Sequence, residues 1–80
     1  MISYTPDMTA ADILRNAYAA ETPEQTFTSW LTELTAWLGV STSTAWAWLN
    51  GSRGMPPTVK KLIHLRARIS PELRREVAEI

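Results

Sequence analysis

Helix-start signals recur at short intervals along this chain, and the strict apolar/polar alternation of a half-buried strand does not. Thr9 followed by Asp12 reads as a capping box, the hydroxyl accepting an orphan backbone N–H while the carboxylate favours the positive helix end. It predicts a first helix from Ala10 to Ala20, with Ile13, Leu14, Ala17 and Tyr18 on one apolar face. Thr22, Pro23, Glu24 and Gln25 read as a second start, with Thr22 as N-cap and Pro23 where a missing N–H costs nothing. That helix is expected to end at Gly39. Phe27, Trp30, Leu31, Leu34, Trp37 and Leu38 share an arc of about 120° on it and should face a core. Trp30 and Trp37 lie near one edge of the arc and could serve either the core or a partner surface.

Ser41 is the next N-cap, for a third helix that stops near Asn50 and Gly51. The Gly- and Pro-containing stretch from Ser52 to Pro57 breaks the pattern. A fourth helix is expected from Pro57 to Arg68, burying Val59, Leu62, Ile63 and Ile69, with Lys60, Lys61, His64 and Arg68 on the opposite face. Ser70, Pro71 and Glu72 repeat the start signal and open a short last helix over 70–80. Leu73, Val77 and Ile80 follow one another along it as a narrow stripe, a candidate dimer contact if it does not pack on the domain's own core. Eighty residues leave room for one core, so the expected architecture is a single all-α domain of five helices over 1–80.

Composition narrows the function classes. No cysteine is present, so neither a disulfide framework nor a thiolate metal site can staple the fold, and an extracellular mini-protein is disfavoured. The opening residues lack the basic-then-apolar pattern of a signal peptide, and no apolar run approaches the roughly 20 residues of a membrane span. A cytoplasmic protein is therefore expected. One histidine and no carboxylate pair in an apolar setting leave neither a metal-ligand set nor a catalytic constellation, so no enzyme, metal or cofactor is expected.

The net charge is zero but unevenly spread. Residues 1–50 carry Asp7, Asp12, Glu21, Glu24 and Glu33 against Arg15 alone, a balance of −4, and residues 51–80 carry seven basic and three acidic side chains, a balance of +4. Arg53, Lys60, Lys61, Arg66 and Arg68 form a run with no acid among them, which can present a positive field to an anionic partner.

The junction between the second and third helices carries most information. An apolar-periodic helix, then Gly39, then Val40 and the Ser41 cap, then a short helix, together describe a helix-turn-helix over 23–50. A residue without Cβ allows the sharp turn. On the third helix Ala45, Trp48 and Leu49 point one way, whereas Ser43, Trp46, Ala47 and Asn50 point the other, with Thr42 at the boundary.

The stretch from Leu34 to Gly51 resembles the helix-turn-helix of the phage repressor and Cro superfamily, whose pattern runs Leu-Ala, a variable pair, Leu-Gly-Val-Ser, a variable residue, then Ser-Thr-Ile-Ser-Arg-Trp-Glu-Asn-Gly. The match is good over about eighteen residues and extends loosely through Arg53, Pro56 and the fourth helix. The resemblance implies a lambda repressor-like fold and a sequence-specific, nucleoid-associated DNA-binding regulator, a small repressor of phage or prokaryotic type acting on double-stranded DNA; because one small module contacts few bases, a homodimer is expected. It also implies that Thr42, Ser43, Trp46 and Ala47 face the bases and that Trp48 is the buried aromatic locking the helix. Ser41, Asn50, Arg53, Lys60, Lys61 and His64 are the expected phosphate contacts.

The chain departs from the pattern at Thr35, where a small alanine is usual, at Ala45, at Leu49 in place of glutamate, at Trp46 and at Ala47, where arginine often sits. Few side chains on this helix can make bidentate base contacts, so hydroxyls, thymine-methyl contact and Trp46 as an apolar or stacking group carry the expected readout. The alternative is a protein-binding module that keeps the fold and turns its tryptophans to a protein partner.

Overall fold

In the computed structural model the described residues run from Thr9 to Ile80; the expected single domain over 1–80 thus begins in residues that lie outside them. Among the described residues there are five helices and no strand: α1 Ala10–Glu21, α2 Phe27–Leu38, α3 Thr42–Asn50, α4 Pro57–Arg66 and α5 Pro71–Ala78. No helix among them is long and apolar enough to cross a membrane.

Local chemistry sets most of the boundaries. Thr9 and Asp12 form the reciprocal capping box, with Asp12 N–H donating to Thr9 Oγ1 at 3.1 Å and Thr9 N–H to Asp12 Oδ2 at 3.3 Å. Ser41 caps α3 and Ser70 caps α5 by accepting the Thr44 and Leu73 N–H groups. Gly39 closes α2 at φ 78°, and both its N–H and that of Val40 reach the Thr35 carbonyl.

The second start is a correction. Thr22 is not an N-cap but the left-handed C-cap of α1, at φ 45° and ψ 50°. Pro23 follows because a helix has ended there, as proline often does one or two residues past a C-cap. Residues 23–26 are loop, and Thr26 caps α2 by accepting the Ser29 N–H. The loop is tied down by the Tyr18 hydroxyl, which donates to the Gln25 carbonyl at 2.5 Å, and by Gln25 Nε2, which donates to Glu33 at 2.8 Å.

One core joins all but α5. Ile13, Leu14 and Ala17 of α1 meet Trp30, Leu31 and Leu34 of α2, Ala45 and Trp48 of α3, Met55 of the following loop and Ile63 of α4. The α2 stripe faces inward as expected, although Phe27, Trp37 and Leu38 are only half-buried. Tyr18, Phe27 and Trp30 cluster with ring centroids 5.4 to 5.7 Å apart. Thr35, the departure from alanine, is fully buried, and its hydroxyl donates to the Thr32 carbonyl at 2.8 Å, so no polar atom is stranded there.

The fourth helix differs from expectation. It ends at Arg66 rather than Arg68; Ile63 is buried, Val59 and Ile69 are half-buried, and Leu62 is 38% exposed. The inward place one turn after Ile63 is taken by Arg66, which periodicity alone assigns to the solvent face.

Arg66 reaches inside because a carboxylate is already there. Glu21, at the end of α1, accepts from Arg66 Nε at 3.2 Å, from Trp30 Nε1 at 3.0 Å and lies 3.4 Å from Arg74 Nη1. One side chain thereby links α1, α2, α4 and α5. Arg66 also lies 3.6 Å from Glu33 and stacks over the Trp37 ring at 5.1 Å.

Helix α5 contributes no buried residue. It is held by its polar side: Arg74 Nε donates to the Arg66 carbonyl and Trp37 Nε1 donates to the Arg74 carbonyl, each at 2.8 Å. Its apolar stripe does not enter the core; Leu73 and Ile80 are exposed and Val77 is half-buried.

Candidate nucleic-acid interface

Helices α2 and α3 are joined by Gly39, Val40 and Ser41 alone and pack against each other, and α1 also packs on α3. Ala45 and Trp48 are the buried residues of α3, and Leu49 and Val40 pack against the core beside them. With that side fixed, Thr42, Ser43 and Asn50 are exposed, Ala47 is half-buried and Trp46 is 45% exposed. The two faces read from the sequence are those of the folded helix except at Ala47, which is read as outward and is half-buried.

Several polar groups of α3 are committed within the chain. The Ser41 hydroxyl accepts the Thr44 N–H and pairs with the Thr44 hydroxyl at 2.9 Å. Asn50 Oδ1 accepts the Ser52 N–H at 2.9 Å, turning its side chain toward the loop that follows. Gly51 closes the helix at φ 81°, and the Ala47 carbonyl accepts from the Arg53 N–H at 3.2 Å, which fixes where the first cation after α3 leaves the chain. Ser41 therefore serves as a cap, and its expected phosphate contact would have to share that hydroxyl.

Asn50, Arg53 and Lys60, three of the expected phosphate contacts, line one open cavity of about 500 Å³ with Trp48, Met55 and the first turn of α1. That turn presents N–H groups at Ala10 and Ala11 that a helix leaves without intrahelical acceptors. The Trp48 indole N–H is buried without an acceptor among the described residues. Asp12, bonded to the Thr9 N–H, sets one carboxylate near the same turn. Lys61 and His64 do not line this cavity; Lys61 is exposed and His64 half-buried.

Apart from Asp12, the charges supplied here by the chain after α2 are of one sign. No Asp or Glu occurs between Glu33 and Glu72, a span that includes all of α3, the loop after it and all of α4. Within it Arg53, Lys61 and Arg68 are exposed and Lys60 is half-buried. Arg66, counted with them from sequence, is withdrawn: its side chain is 4% exposed and its charge is met by Glu21. The usable positive field is therefore four cations, not five.

Trp30 and Trp37, which the sequence left open between core and partner surface, are both engaged internally through their indole N–H groups. The Glu21–Arg66–Arg74 cluster was not foreseen, since its members are far apart in sequence and follow no short motif. Among the described residues no three His, Cys, Asp or Glu side chains gather as a metal-ligand group. Compared with known proteins, the chain matches no family model, no curated protein and no solved structure.

Proposed function

We propose that the protein is a sequence-specific DNA-binding transcriptional regulator, a small repressor of phage or prokaryotic type working at the nucleoid in the cytoplasm. In this reading α2 and α3 are a helix-turn-helix and α3 enters the major groove. Thr42, Ser43, Trp46 and Ala47 meet base edges; Asn50, Arg53 and Lys60 hold a backbone phosphate where they converge, and Lys61 and His64 lie along the flanking backbone. The observation that carries it is the pairing of an exposed, uncharged α3 face with an adjoining cavity lined by Arg53 and Lys60, both from a stretch of chain that holds no acid between Glu33 and Glu72. Cations that hold phosphates fix the position of a reading helix on a duplex, and side chains left free on its outer face can then meet base edges.

One small module contacts few base pairs, and a two-fold dimer doubles them. The exposed stripe of Leu73, Val77 and Ile80 on α5 is the surface we assign to that contact. A second reading, a protein-binding module, is favoured by the exposure of Trp46 together with Leu62 and Leu65.

A binding series in increasing salt tests the choice. Counterion release makes the log–log slope negative, and Arg53→Ala or Lys60→Ala should each flatten it by about one unit. A slope near zero on every duplex would overturn the DNA reading in favour of the protein module.

A further inference from the structure

The proposal below rests on α3 as the groove-entering helix and concerns what that helix can distinguish. Between Thr42 and Asn50 there is no Arg, Lys, Gln, Asp or Glu. The bidentate partners that select guanine or adenine, and the carboxylates that select cytosine N4, are therefore missing from it, apart from Asn50. Asn50 has its carbonyl oxygen bound to the Ser52 N–H, so it cannot present the donor–acceptor pair that adenine requires without giving up that bond.

What α3 does offer outward is the hydroxyls of Thr42 and Ser43, which pair with donors and acceptors alike, the single indole N–H donor of Trp46, which cannot make a bidentate pair, and carbon: the Trp46 ring, the Thr42 methyl and the half-buried Ala47 methyl. Hydroxyls discriminate weakly. The apolar surface has one natural counterpart on the floor of the major groove, the methyl group at C5 of a pyrimidine.

We propose that α3 reads pyrimidine C5-methyl groups, with the exposed Trp46 ring and Ala47 as the receiving surface. Thymine supplies that group in unmodified DNA, and 5-methylcytosine supplies the same group at the same place in the groove. The protein then follows the methyl group rather than the base pair's hydrogen-bonding pattern.

The test begins by selecting bound duplexes from a random pool with the full chain, then varies the DNA rather than the protein. Replacing each thymine of the selected site by uracil removes only the methyl group. Affinity should fall about fourfold at each position that α3 reads, the ratio expected for burying one carbon's worth of apolar surface. At those positions a cytosine–guanine pair should bind weakly, and methylating that cytosine should recover about fourfold. In Trp46→Ala the uracil penalty should shrink toward unity at the position the ring covers, with the helical circular dichroism unchanged; Ala47→Gly checks the neighbouring contact.

Salt-dependent binding that is indifferent to uracil at every position would overturn methyl reading and leave the DNA reading standing. Recovery of guanine-rich sites without thymine would do the same. Failure to bind any duplex would remove both.

Discussion

Arg66 Nε lies 3.2 Å from Glu21 Oε2, and the two side chains are 4% and 3% exposed. An ion pair so far from water is held in place by the cost of separating it. Removing Glu21 leaves the buried Arg66 with only the longer pair to the exposed Glu33 at 3.6 Å, and the Trp30 N–H and Arg74 lose their acceptor as well. Glu21→Ala should therefore destabilise the fold by about 3–5 kcal/mol, read from urea unfolding. Glu21→Leu combined with Arg66→Met should cost less than the sum of the single changes, since the paired charges leave together, although the Trp30 N–H and Arg74 still lose their acceptor. A double variant as unstable as the sum of the singles would mean the two residues act independently.

Thr22 makes a prediction whose sign depends on which helix it belongs to. As the left-handed C-cap of α1, a β-branched residue at φ 45° is strained, and Thr22→Gly should stabilise by about 0.5–1 kcal/mol after allowing for the freer unfolded chain. An N-cap threonine would behave oppositely, losing a few tenths on change to glycine. Thr26→Ala, at the N-cap of α2, should cost about 1 kcal/mol. Urea midpoints at constant m-value distinguish these outcomes.

Trp46 and Trp48 are two residues apart and should respond to truncation in different ways. Trp48→Ala opens a hole in the core and should cost about 3–5 kcal/mol. Trp46→Ala removes a side chain that is 45% exposed, so thermal stability should change by no more than about 0.5 kcal/mol while the preferred DNA sequence shifts. Melting curves together with sequence selection on both variants check the pair; unfolding of Trp46→Ala alone would contradict the packing of α3.

For assembly, Leu73→Glu and Ile80→Glu are the informative changes. Neither residue is buried within the chain, so the melting temperature of the variants should stay close to that of the parent. Sedimentation should show a dimer for the parent and a monomer for each variant, and half-sites about 34–36 Å apart should bind the parent more tightly than a single half-site. A parent that remains monomeric at concentrations well above its DNA affinity would end the two-fold scheme.

The legibility of the chain follows from how local each determinant is. The caps at Thr9, Ser41 and Ser70, the stop at Gly39 and the two faces of α3 depend on neighbours within a turn or two, and these were readable. Thr22 is ambiguous because threonine followed by proline marks both the start of a helix and the chain leaving one. The deciding fact is the left-handed backbone at Thr22, which residue type does not announce. Arg66 was misplaced for a different reason. Its burial depends on Glu21, whose carboxylate only the tertiary fold brings within reach, and an apolar count moves Leu62 inward in its place. The convergence of Asn50, Arg53 and Lys60 on one cavity also needed the fold, although each had been marked singly.

Helix α5 is attached through an arginine, an indole N–H and backbone carbonyls, and it buries no side chain of its own. Its detachment would uncover little hydrocarbon, and the groups released would be met at once by water. Amide hydrogens along 72–78 should consequently exchange through a sub-global opening, earlier than those of α2, with little dependence on denaturant. The last helix would then be a separate cooperative unit seated on an already folded four-helix body, and the cohesion between the two would be governed by ionic strength more than by the heat capacity of apolar burial.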